Sequence, residues 1–216
     1  MGKTIFKIII KIYNGILDVI YPPEEKCIIC DEDGFIGICP CCKSYIKVSN
    51  VNDSDNMSYG FYGGALKKLI LEFKYRGNFI AGDILSKFLL EIINKEKING
   101  DIICYVPMTK KSIKRRGFNQ CKVIANNISL YTGIDVSNCI KKVKDTREQK
   151  TLSKEARNIN VKGVFAISND CDIRGKNVIL IDDVMTTGAT VNECKNILKK
   201  SGANKIFILT IAKSNI

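Results

Sequence analysis

Histidine is absent from all 216 residues. That absence excludes Ser-His-Asp and Cys-His catalytic pairs, His-Glu-x-x-His metalloproteases and any histidine metal ligand. A soft metal site must then be built from cysteine, of which there are ten. Long apolar runs are absent too. Lys3, Lys7 and Lys11 interrupt the amino-terminal stretch MGKTIFKIIIKIYNGILDVIYPP, which argues against a signal peptide. The stretch also falls short of the roughly 20 apolar residues that a membrane span needs. Its apolar positions (Ile5, Phe6, Ile8, Ile9, Ile12, Tyr13, Ile16, Leu17, Ile20) fit a broad helical face ended by Pro22-Pro23. This reads as a helix packed on the remainder of the protein, with contact at a membrane surface as the alternative. The chain reads as cytoplasmic, with no transmembrane span and its cysteines reduced.

The charge is uneven. The chain carries a net +12, yet residues 1–58 hold six Lys/Arg against eight Asp/Glu. Residues 110–162 hold fourteen basic and four acidic residues, a net +10. Such a segment favours a polyanionic partner or a phosphate-rich substrate, and a coding bias toward lysine is the bland alternative.

Four cysteines fall as Cys27-x2-Cys30 and Cys39-x2-Cys42, separated by DEDGFIGI. Two such knuckles can set four thiolates around a zinc ion, closing every position, so the site would be structural. Cys41 offers a third sulfur to the second knuckle, and it competes with Cys39 and Cys42 for a place. A redox-active pair or scattered thiols is the other reading. The polar stretch VSNVNDSDN leads out of this module. The chain then divides into residues 1–50 (helix plus cysteine module), a linker over 51–58, and one domain over 59–216.

The stretch VILIDDVMTTGAT, residues 178–190, carries the most chemistry. Val178 to Ile181 read as a buried parallel strand, followed by Asp182-Asp183 and a loop from Thr186 to Thr190. Val191 to Lys200 read as a helix, and KIFILTIA as the next buried strand, which completes a βαβ unit. Two carboxylates at a strand end can accept hydrogen bonds from vicinal hydroxyls. Gly188 lets the backbone approach a phosphate at the start of the helix. Neither G-x4-G-K-[ST] nor G-x-G-x-x-G occurs here.

This stretch resembles the phosphoribosyl pyrophosphate motif of type I phosphoribosyltransferases. The resemblance implies that Asp182 and Asp183 hold the ribose 2′- and 3′-hydroxyls. It implies too that Val184, Met185, Thr186, Thr187, Gly188, Ala189 and Thr190 wrap the 5′-phosphate. Further segments resemble the ComF branch of that superfamily: FKYRG at 73–77, VPMTKKSIKRRGFNQ at 106–120, and Thr146-x2-Gln149-x2-Leu152-x4-Arg157-x2-Asn160. Met108-Thr109 departs from the pattern, since many relatives carry a second proline there. The implied fold is α/β: a type I phosphoribosyltransferase-like, mostly parallel sheet flanked by helices, with a small zinc-ribbon-like module before it.

DIICYV, residues 101–106, reads as a strand, and a helix from Asn119 to Tyr131 would have Asn119 as its N-cap. The resemblance to type I folds implies that the loop between them receives pyrophosphate, with Lys110, Lys111, Lys114, Arg115 and Arg116 as local cations. Mg²⁺ is the implied companion of the ligand. Residues 144–160 resemble in position a loop that closes over substrate. Lys144, Arg147, Lys150, Lys154 and Arg157 could reach in from it, Arg147 and Arg157 being the preferred catalytic residues. Two functions compete: phosphoribosyl transfer to an unidentified acceptor, and non-catalytic single-stranded DNA binding along the basic segment. ComF-like proteins are associated with DNA uptake in natural competence, which implies partners in that machinery. Phe118, Tyr131 and Phe165 are the aromatic side chains nearest the basic segment that could stack bases.

Overall fold

The computed structural model describes residues 24–49, 55–144, 163–168 and 170–214. The amino-terminal helix expected before Pro22, and Arg147 and Arg157, lie outside these residues. So do Lys150 and Lys154.

Five parallel strands form the main sheet in the order β1-β7-β6-β2-β3. They are β1 (Asn56–Phe61), β2 (Ile102–Tyr105), β3 (Val136–Ser137), β6 (Val178–Met185) and β7 (Ile206–Lys213). A short antiparallel pair, β4 (Ile140–Lys142) with β5 (Phe165–Ile167), stands apart from it. The apolar run of β6 has a direct cause. Ile179 and Ile181 enter one core, while Val178 and Leu180 enter another on the opposite face. A strand covered on both sides has no polar alternate positions to fill.

Helices α2 (Gly64–Arg76), α3 (Phe79–Lys95) and α5 (Gln120–Thr132) supply the larger core. In α2 the buried residues Ala65, Leu66, Leu69, Ile70 and Phe73 recur at helical spacing. Helix α6 (Ala189–Lys200) covers the other face through Val191, Cys194 and Leu198. Asn119 caps α5 as expected, accepting from the amides of Cys121 at 2.9 Å and Lys122 at 3.3 Å.

From β2 the chain runs through α5 to β3 on one side, and from β6 it runs through α6 to β7 on the other. The two connections diverge between neighbouring strands, which opens a crevice at their carboxyl ends. Open α/β sheets bind ligands at such a point.

Two local readings change. Strand β6 continues past the acids, pairing Val184 with Ala212 and Met185 with Lys213. The turn is thereby confined to Thr186–Gly188, and α6 starts at Ala189, two residues earlier than its apolar pattern suggests. The cationic loop after β2 is instead a helix, α4 (Lys110–Arg116). Thr109 caps it by accepting from the Ser112 amide at 3.0 Å, and Gly117 ends it at φ +90°.

Among the described residues, no helix is long and apolar enough to cross a membrane. Cys139 and Cys171 lie side by side, their Cα atoms 5.3 Å apart.

Candidate phosphoribosyl and metal sites

Cys27, Cys30, Cys39 and Cys42 bring their sulfurs within 4.8 Å of one another. Short helix α1 (Pro40–Ser44) turns the second knuckle: its N-cap is Cys39, whose sulfur accepts from the Cys42 amide at 3.3 Å. The Cys27 sulfur likewise accepts from the amides of Cys39 at 3.3 Å and Ile29 at 3.4 Å. Burial pushes the Cys27 thiol up, but amides of Cys39, Cys30 and Ile29 outweigh it and leave the group at about 6. Amide donors aimed at sulfur favour the thiolate form, the form that binds metal. With four sulfurs gathered this closely the cluster can hold a metal ion, and a four-sulfur donor set suits zinc. Cys41 is exposed and lies outside this cluster.

The module docks on the helices through Ile28, Ile29 and Ile38, which pack against the larger core. Lys68 donates to the Ile29 carbonyl at 2.9 Å, and Lys43 pairs with Glu91 at 3.0 Å. Gly37, at φ +98°, lies so close to α3 that a Cβ there would meet Ile84 at 2.7 Å.

A cleft of about 800 Å³ opens at the carboxyl ends of β2 and β6. Its size suits a ligand of drug-like bulk. Its floor is the acid pair, and one wall is the turn Thr186–Gly188 with the first residues of α6. Gly188 sits at the N-cap of α6 with φ +74°, a conformation that a side chain would strain. The facing wall carries Lys111, Arg115 and Arg116 from α4. Lys110 and Lys114 lie on the same helix but do not line the cleft. All seven phosphate-motif residues from Val184 to Thr190 do line it.

Asp182 and Asp183 are both buried. The Asp182 carboxylate accepts from the Asp183 amide at 2.9 Å and from the Cys121 thiol at 3.5 Å. Burial raises this carboxyl first and the Asp183 charge raises it further, to about 7. Asp183 accepts from Lys74 at 2.7 Å and from the Gln120 amide through the same oxygen, Oδ2. Lys74, Gln120, Cys121, Lys142 and Tyr75 thus join the site, although no sequence pattern marks them individually as site residues. FKYRG and the Gln of RGFNQ stand out in the sequence only by family likeness, and both segments end at this acid pair.

The three stacking candidates differ in exposure, and Phe165 lines the cleft. Phe165 is buried, and Phe118 packs 5.1 Å from Phe73 and 5.2 Å from Phe79. Tyr131 is exposed and donates to Asp83 at 3.3 Å. Tyr75 lines the cleft and stands more than half exposed, and Arg116 lies over its ring at 5.3 Å; Phe79 is also more than half exposed.

Residues 87–216 match the phosphoribosyl transferase domain family. The chain is 30% identical to competence protein F of Haemophilus influenzae over 162 residues, which is 72% of this chain and 71% of that protein. It is 29% identical to the DNA utilization protein YhgH of Escherichia coli over 71% of this chain and 69% of that one. It is 26% identical to competence protein ComFC of Streptococcus pneumoniae over 88% of this chain and 81% of that one. A matching domain over more than half the chain, a parallel sheet with its crevice at the acid pair, and relatives of this kind over most of the length agree. The chain belongs to the phosphoribosyl transferase domain family, in its ComF branch.

Proposed function

We propose that this chain binds phosphoribosyl pyrophosphate with Mg²⁺ and transfers the phosphoribosyl group to an acceptor still to be found, in support of DNA uptake during competence. The observation that carries this is the cleft itself. It sets two buried carboxylates, a glycine-bearing turn at a helix start and a cationic helix around one space. Asp182 and Asp183 accept the ribose hydroxyls. Thr186, Thr187, Thr190 and the backbone around Gly188 hold the 5′-phosphate by donors that carry no negative charge. Lys111, Arg115 and Arg116 face the pyrophosphate. Fixed donors of this kind, held in a partly closed site, stabilise the charge that builds on a departing diphosphate. Mg²⁺, when bound with the ligand, adds to that charge stabilisation. The four-cysteine module holds a structural zinc ion. The test is equilibrium binding of phosphoribosyl pyrophosphate with Mg²⁺ to the full chain. One site per chain is expected, and no binding overturns the reading.

A second reading, single-stranded DNA on the same face, is favoured by one specific observation. Helix α4 carries five cations and buries none of its residues. Beside it Tyr75 offers an exposed ring, and base–aromatic stacking is tolerant of sequence. Affinity for a single strand should fall with salt by about 0.7 log–log unit per phosphate contact. Changing Lys110, Lys111 and Lys114 to Gln should flatten that slope by about two units. An unchanged slope assigns the strand to another surface.

A further inference from the structure

The acid pair is served by two segments that neither the phosphate turn nor the cationic helix requires. Lys74 comes from the last turn of α2, anchored there by wholly buried Phe73. Gln120 is the first residue of α5. Both donate to Oδ2 of Asp183, Lys74 from 2.7 Å. Arg116 donates to the other end of the Gln120 amide, which orients its NH₂ toward Asp183. The Lys74 and Asp183 side chains are 15% and 11% exposed, so the pair is largely out of water. Cys121 and Asp182 are the other ionisable groups acting on Lys74.

We infer that Lys74 is a positioning residue for the proposed reaction: its fixed ammonium balances the acid pair and holds Asp183 oriented toward the ribose hydroxyls. This rests on the reading of the cleft as a phosphoribosyl site. The physical need is plain. Two adjacent buried carboxylates tend to share one proton, because like charges at close range cannot both ionise cheaply. A protonated carboxyl is a poor acceptor for a hydroxyl. A cation built into the fold offsets part of that cost, and it fixes the Asp183 carboxylate in place through the 2.7 Å contact. Burial works against the Lys74 charge, but Asp183, and to a lesser extent Cys121 and Asp182, outweigh it and hold its pKa above the ordinary lysine value. The same ammonium pulls the Asp182 carboxyl down against burial and the Asp183 charge.

The experiment compares the full chain with its Lys74→Gln and Lys74→Arg variants, without ligand, by carboxyl ¹³C NMR titration of the aspartates. In Lys74→Gln the Asp182 midpoint is expected to rise by about one pH unit or more, and in Lys74→Arg to stay near the parent value. A midpoint unmoved in Lys74→Gln overturns the inference, since a merely structural lysine would leave it there. Binding is read in parallel. At pH 7, Lys74→Gln should bind phosphoribosyl pyrophosphate with Mg²⁺ about tenfold more weakly than the parent, and recover most of that by pH 9. A loss that does not depend on pH overturns the positioning role. A parent that binds no phosphoribosyl pyrophosphate defeats the proposed function, whereas the carboxyl titration still reports on the Lys74 charge. Should Lys74→Gln fail to fold, the parent decides by ¹⁵N spectroscopy of its lysine ammonium groups. One group protected from solvent exchange and coupled to Asp183 is expected, and exchange as fast as at exposed lysines overturns the inference.

Discussion

Asp182→Asn and Asp183→Asn should both weaken phosphoribosyl pyrophosphate binding, yet move the stability of the free protein in opposite directions. Each carboxylate that accepts a ribose hydroxyl contributes about 1.5–3 kcal/mol, so losing both lowers affinity by roughly 100-fold or more. Stability divides because the two acids have different partners. Asp182 has its pKa raised to about 7, by burial first and by Asp183 second. A carboxyl held higher in the folded than in the unfolded chain stabilises fully below about pH 4, and that contribution is lost as pH rises through 7. At pH 8 the folded protein therefore carries a charge it holds badly. Asp182→Asn removes that cost, and the new amide oxygen can still accept the residue 183 amide. A gain on the order of 2–4 kcal/mol at pH 8, vanishing toward pH 4, is expected from denaturant titrations. Asp183→Asn does the reverse, because it leaves the Lys74 ammonium largely buried without its counter-charge. Breaking such a pair from one side costs on the order of 3 kcal/mol. Equal stability changes in the two variants would contradict the placement of Lys74.

Cys27→Ser combined with Cys30→Ser should remove the metal and unfold the cysteine module while leaving the central strands of the sheet intact. The unsubstituted chain is expected to carry about one zinc per molecule, and the variant none. A structural zinc contributes on the order of 10 kcal/mol of binding free energy at neutral pH. Residues 24–49 form too short a piece to hold a core without it. The central strands β6 and β7 draw their burial from α2, α3, α5 and α6, whereas the edge strand β1 is hydrogen-bonded to Lys47 and Ser49 of the module. Hydrogen exchange should therefore lose protection over 24–49 and on the outward sides of α2 and α3, where Ile29 and Glu91 make their contacts. Protection of 24–49 that survives in the variant would show that the thiols do not hold the module together.

What the sequence reveals directly differs from element to element for physical reasons. Strands β6 and β7 are legible because burial on both faces leaves an unbroken apolar run. The four-sulfur cluster is legible because ligand chemistry sets residue type and spacing together. Helix α4 is not legible by periodicity. Five cations around Ile113 give no apolar stripe, and its punctuation by Thr109 and Gly117 is the signal that marks it. The start of α6 is hidden because Ala189 and Thr190 show no apolar spacing, although the φ of Gly188 lets the chain turn into a helix at once. Lys74 is out of reach in another way. Nothing near it in the chain distinguishes a paired lysine from a solvated one, and only the packing of Phe73 brings it to Asp183. Tyr75 and Phe79 escape notice because exposure is decided by the tertiary fold.

Calorimetric titration of the unsubstituted chain with phosphoribosyl pyrophosphate and Mg²⁺ at pH 8 tests the central claim most directly. One site per chain is expected, competed separately by ribose 5-phosphate and by pyrophosphate, and lost when Asp182 and Asp183 are both changed to Asn. Absence of binding, or binding indifferent to the loss of both acids, would contradict the account.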